Sequence, residues 1–191
     1  MKVKEQIIAA RTCRYFRNES LSAETLSALV DCAHLSPSAR NQQPLRYALV
    51  NSEEAKKEFF TYMNMMGGRS AEERADEKRQ PAGYIVLIAP KGLGDFGIMD
   101  IGIAAQSINL AARDAGLSCC MIGAFKKAEV NKFLNLPDNM EAMLVMAVGA
   151  PDEDCRLCGP KADGTLAYFN DEAGVHWVPK LPLSDVILMT K

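Results

Sequence analysis

Two short polar segments of this 191-residue chain carry the side chains best suited to hold a ligand. The first is Pro37-Ser38-Ala39-Arg40-Asn41-Gln42-Gln43-Pro44, where Ser38, Arg40, Asn41 and Gln43 set hydroxyl, guanidinium and amide groups between two prolines. Ordering a loop costs about 1–2 kcal/mol of backbone entropy per residue, so a stretch this polar normally stays short. Here Pro37 and Pro44 stiffen its ends. The second segment is Arg11-Thr12-Cys13-Arg14. Arg11 and Arg14 stand three apart, so on a helix they share a face and can bracket a phosphate, with the Thr12 hydroxyl as a further donor. Lys180 is a third candidate cation, if the fold brings the C-terminal region near. Donors of these kinds suit a polar heterocycle carrying a phosphate, and a flavin mononucleotide (FMN) answers to that description.

Gly123 and Ala124 follow an apolar run and make a turn of small residues. Such residues let a flat ligand approach the main chain, where a backbone N–H can be donated; an ordinary strand-to-helix turn reads the same way. Cys155 and Cys158 form a Cys-x-x-Cys pair. A zinc site needs two more ligands, and Cys119 and Cys120, adjacent on a strand, point to opposite faces and cannot both join. The pair reads as lying in a loop, unlike a thioredoxin-type redox pair, and no metal is expected. His34 and His176 have no carboxylate or nucleophile patterned around them and read as structural or exposed. No Ser-His-Asp set, glycine-rich phosphate loop or His-Glu-x-x-His motif is present.

The elements that must position these groups follow from periodicity. Ser22 to Leu35 reads as a helix: Ser22 is a good N-cap, Glu24 sits at the positive end of the dipole, and Leu26, Leu29, Val30 and Ala33 recur on one face. Pro37 ends it. Arg46 to Val50, Tyr84 to Ala89, Ser118 to Ile122 and Met143 to Val148 read as strands, and Ala128 to Leu134 as a short helix. Glu53 to Met63 and Arg69 to Arg79 look like two polar helices around Gly67-Gly68, a solvated stretch that also suits a lid. The helix from Phe96 or Gly97 to Ala115, closed by Gly116, is apolar on nearly all sides before Arg113-Asp114, so it needs cover on nearly all sides. A subunit interface is the simplest source of that cover. The order of elements predicts an α+β sheet with helices packed on it. Beyond Pro151 a hairpin is expected around Asn170 to Gly174, then a proline-broken tail that wraps its own or a partner's surface.

Composition limits the function classes. With 48% apolar and 24% charged residues the chain has the make-up of an ordinary globular protein, and 191 residues suit one domain over 1–191. A net charge of −2 without a basic stripe argues against nucleic acid. No run reaches the roughly 18 apolar residues of a membrane span. The patch Ile7 to Ala10 is too short for a signal-peptide core, and six cysteines then read as free thiols in a reducing cytoplasm.

Taken in order, these pieces resemble the nitroreductase-like flavoproteins. The matching segments are Arg11 to Phe16, the Pro37 to Pro44 loop, Asp100 to Gln106 opening a helix that ends in Ala115-Gly116-Leu117, Ile122 to Phe125, Leu136-Pro137, Val145 to Pro151, and Val178-Pro179-Lys180. The resemblance implies an intertwined α+β homodimer, with a central, mostly antiparallel sheet flanked by helices and two FMN sites at the subunit interface. Arg11, Thr12, Cys13, Arg14 and Lys180 would hold the phosphate and ribityl chain. Asn41 and Gln43 would bond the flavin, Pro37, Ser38 and Ala39 would come from the other subunit, and the Gly123-Ala124 backbone would face N5. The implied reaction is ping-pong: NADH or NADPH reduces FMN, then a small-molecule acceptor such as a nitroaromatic or quinone is reduced, with no catalytic side chain. A flavin-dependent dehalogenase-type member and a flavin-binding protein without turnover are the alternatives. Ala10, Leu45 and Leu181 depart from the family pattern, the first and last by removing a common positive charge.

Overall fold

Strand β2 (Gly83–Pro90) is apolar without alternation because both of its faces are covered. It lies between β1 (Arg46–Val50) and β4 (Met140–Gly149), and β3 (Ser118–Ile122) closes the order β1-β2-β4-β3. Every pairing in this sheet is antiparallel; Val86 stands opposite both Ala48 and Val145, and Met146 opposite Met121. The computed structural model describes residues 2–17, 19–64 and 79–191. The helix expected over Arg69 to Arg79 and the Gly67-Gly68 lid lie, save Arg79, outside the described residues.

Alternation along the strands sends side chains into two separate clusters. On one face Tyr84, Val86, Ile88, Val145 and Ala147 pack with Phe16, Phe59 and Val130; on the other Ile85, Leu87, Met146 and Val148 pack with Leu26, Leu29, Ile101, Ala104 and Ile108. Helix α1 (Val3–Ala9), whose only sequence signal is the short apolar patch Ile7 to Ala10, precedes α2 (Ala23–His34). Ser22 caps α2 by accepting from the Thr25 N–H (3.1 Å). Helix α3 (Glu53–Phe60) is shorter than expected. Helix α4 (Asp95–Asp114) is the longest described. Helix α5 (Lys127–Phe133) joins β3 to β4. Complete burial of a side chain such as Ile108 or Phe59 contributes about 1.5–3 kcal/mol, so these two layers hold the sheet between them.

Two expectations change here. Cys155 to Cys158 is not a loop: it is strand β5 (Cys155–Cys158), parallel to β7 (His176–Pro179), with β6 (Phe169–Asn170) antiparallel on the other side of β7. The strand is legible only through a partner about twenty residues away, which no local pattern reveals. Arg11 to Arg14 is not helical either. It runs extended beside β3: Thr12 bridges in parallel to Cys119, and the Cys13 N–H donates to the Cys119 carbonyl (3.0 Å). The hairpin around residues 170–174 is present between β6 and β7. A last turn of helix, α6 (Leu183–Val186), stands exposed near the C-terminus.

Candidate functional site

The extended course of residues 11–16 decides where their side chains go. Alternate residues face alternate sides, so Thr12 and Arg14 share a direction that Cys13 does not. Thr12 and Arg14 line a cleft of ≈ 280 Å³ together with Asn64, the Cys120 to Ala124 strand end and turn, and Tyr168. A β-carbon on Gly123 would meet nothing within 4 Å, so the main chain there is open to an approaching ligand. Arg14 sits with its guanidinium 5.2 Å from the centre of the Tyr168 ring, within cation–π range. Tyr168 in turn lies 5.2 Å from the buried His176 ring, whose Nδ1 meets Asn170 Oδ1 at 2.7 Å.

Cys13 points the other way. It is buried, its thiol donates to the Tyr15 carbonyl (2.8 Å), and burial pushes its pKa well up. Arg11 folds back to donate to the Ile7 carbonyl. Its Nε is buried without a partner among the described residues, and burial lowers its pKa, offset in part by Cys155. Neither residue lines the cleft that Thr12 and Arg14 share. Ala10 is buried, so the position where the family pattern has a further charge is closed to one. Behind the segment, Glu153 Oε1 accepts from the Arg14 and Tyr15 backbone N–H groups, the latter at 3.2 Å, which fixes the main chain that carries Arg14. The Lys180 N–H donates to the Cys158 carbonyl (2.9 Å), and its exposed side chain does not enter this cleft.

The Pro37 to Pro44 loop makes a second centre. Pro37, Ser38 and Gln43 line a ≈ 50 Å³ pocket with Asp100 of α4. A larger groove of ≈ 480 Å³, which includes Gln43, Tyr47 and His34, adjoins it. Arg40, Asn41 and Gln43 have φ of 53°, 54° and 47°, left-handed backbone that costs non-glycine residues of order 1–2 kcal/mol each. Asp100 holds this shape: Ser38 Oγ donates to Oδ2 (2.7 Å) and the Ala39 N–H to Oδ1 (3.0 Å). Burial, then the Asp100 charge, raises the pKa of Tyr47. Asn41 is exposed, its side-chain oxygen accepting from Gln43 Nε2 (3.0 Å).

Within one chain the expected ligand residues therefore fall into two groups, Thr12, Arg14, Gly123 and Ala124 in one cleft and Pro37, Ser38 and Gln43 in another. Sequence reasoning missed Tyr168, Asn64 and Glu153, which carry no motif, and gave Asp100 no role. Among the described residues no cluster of metal-ligating side chains exists; Cys155 and Cys158 form no disulfide, and Cys155 donates to the Thr12 carbonyl (3.5 Å). No described helix is long and apolar enough to cross a membrane.

Comparison with known proteins shows the family. A model of the Nitroreductase family matches residues 7–150. A putative NADH dehydrogenase/NAD(P)H nitroreductase of Archaeoglobus fulgidus is 27% identical over 161 residues, covering 78% of this chain and 86% of the relative. An iodotyrosine deiodinase of Thermotoga neapolitana is 26% identical over 159 residues, covering 75% and 85%. The crystal structure of a nitroreductase family protein from Clostridium novyi NT superposes with a TM-score of 0.67 at 26% identity, covering 79% of this chain and 87% of the other. This chain belongs to the nitroreductase family.

Proposed function

From that membership, we propose that the protein is an FMN-dependent NAD(P)H oxidoreductase that reduces flat, electron-poor acceptors such as nitroaromatics or quinones. The carrying observation is that Thr12 and Arg14 share one cleft with the open Gly123-Ala124 turn. A guanidinium and a hydroxyl suit the phosphate and ribityl hydroxyls of the cofactor. An unobstructed main chain suits the edge of its ring. The bound flavin supplies the redox chemistry, and the side chains bind and orient it. Asn41 and Gln43 are left with amide groups to offer its ring, while Arg11, Cys13 and Lys180 stand outside the cleft wall.

A cleft of ≈ 280 Å³ is at the low end for a ligand site, and the Pro37 to Gln43 centre is separate from it. Both facts support a homodimer in which a second copy brings its own 37–39 segment to complete the site. The outer face of α4 supports it too: Phe96, Ile98 and Met99 are 63%, 54% and 61% exposed on the chain alone. Residues 151–179 pack on their own chain through the Phe16–Pro151 bridge and β5, so the wrapping segment is the exposed run from Leu181 to Lys191.

The visible spectrum of the purified protein tests the reading, followed by anaerobic addition of NADH or NADPH. Yellow protein that bleaches on addition supports it; protein that stays colourless in excess FMN overturns it. Bound flavin that does not bleach would mark a binding protein instead. The deiodinase relative supports a second reading, reductive dehalogenation, which predicts halide release from a halotyrosine.

A further inference from the structure

Helix α4 turns one carboxylate inward at the loop of the second centre. Asp100 is 5% exposed and meets the Ser38 hydroxyl and the Ala39 N–H. A carboxylate only accepts, so the single proton of Ser38 Oγ is directed at Asp100 and its lone pairs face outward. One of them accepts the Gln43 N–H (3.0 Å). Gln43 Nε2 then donates to Asn41 Oδ1 (3.0 Å). A chain of hydrogen bonds thus runs Asp100–Ser38–Gln43–Asn41, and two of its members, Gln43 and Asn41, have left-handed backbone that is unfavourable by itself.

We propose that Asp100 is a positioning residue: through Ser38 it locks the 38–43 loop in its left-handed course and so aims the amides of Asn41 and Gln43 at the ligand. The proposal takes that ligand to be FMN and in this rests on the preceding reading. Asp100 is engaged by Ser38 and Ala39 and acts on the ligand through them. An amide at position 100 keeps the side chain's size but replaces one charged acceptor by a donor, so the Ser38 hydroxyl loses the partner that orients its proton.

The test uses the full chain as Asp100→Asn, Ser38→Ala, Ser38→Thr and the Asp100→Asn/Ser38→Ala double variant. Three quantities are read: melting temperature, amide exchange at Gln43 without cofactor, and FMN affinity from quenching of flavin fluorescence. A hydrogen bond to a charged group is strong enough that Asp100→Asn and Ser38→Ala should each weaken FMN binding about tenfold. Because they break one relay, the double variant is no weaker than the worse single, and Ser38→Thr, which keeps the hydroxyl, leaves the Gln43 N–H exchanging more slowly than Ser38→Ala does. In Asp100→Asn the Gln43 N–H, which Asp100 does not touch, exchanges faster. Unchanged Gln43 exchange in Asp100→Asn, or losses that add in the double variant, would overturn the proposal. If the unaltered protein takes up no FMN, the functional reading falls, and Gln43 exchange alone then decides the lock.

Discussion

Phe16 occupies the space that a side chain on Gly149 would need. A β-carbon there would lie 2.8 Å from Phe16 Cδ1 and 3.0 Å from its Cβ. Phe16 is fully buried, and its neighbour Arg17 donates to the Ala150 carbonyl (2.9 Å), so neither side can withdraw. Gly149→Ala should therefore destabilise the fold by about 1–3 kcal/mol through overpacking. Urea unfolding measures it, and adding Phe16→Leu should recover part of the loss.

Arg14 is the cation that shares a cleft with the Gly123 turn. Its removal in Arg14→Ala should weaken FMN about ten- to a hundredfold, the range of a lost hydrogen bond to a charged group. The remaining binding should depend less on salt, since a phosphate contact is gone. Fluorescence titration at two ionic strengths checks both, and an unchanged affinity would remove Arg14 from the site.

The thiols should sort by burial. Burial raises Cys119 to about 12 and Cys120 to about 11, and it raises Cys13 further still. Since the thiolate is the reactive form, these three should resist a disulfide reagent at about pH 8 until the protein unfolds. Exposed Cys32 should react first, followed by half-buried Cys155 and Cys158. Mass spectrometry of the labelled peptides gives the order.

Much of the fold was legible in the chain, and the reason differs by element. Strand β3 has the bounds that sequence reading assigned to it, because its small and apolar residues run between Gly116 and Gly123. Helix α2 announces itself through Ser22 and a single apolar face. What stayed hidden depends on distant partners. Arg11 to Arg14 is extended because Cys119 pairs with it, and β5 exists because His176 to Pro179 lies alongside. The polar loop was picked out for its donors, yet its clamp, Asp100, sits some sixty residues on and looks like an ordinary helix residue in sequence.

Trp177 is the sole tryptophan, and its Nε1–H donates to Asp171 Oδ2 (2.8 Å). That bond, with the Val175 and Ala173 N–H groups, holds the Asp171 carboxyl below its ordinary 3.8. With the folded value depressed, the stabilisation is complete above the unfolded value and is lost as pH falls through the folded one. The change in Trp177 fluorescence should therefore have its midpoint below 3.8, the ordinary value. Asp171→Asn should abolish that acid step.

The left-handed course at residues 40, 41 and 43 has a consequence for anyone seeking a hardier variant. Glycine tolerates such angles freely, so replacements there relieve local strain and would survive a search for heat resistance. At 41 and 43 they would delete the amides themselves, and at 40 they would free the hinge that aims them. Selection for endurance and selection for turnover should thus pull these three codons in opposite directions.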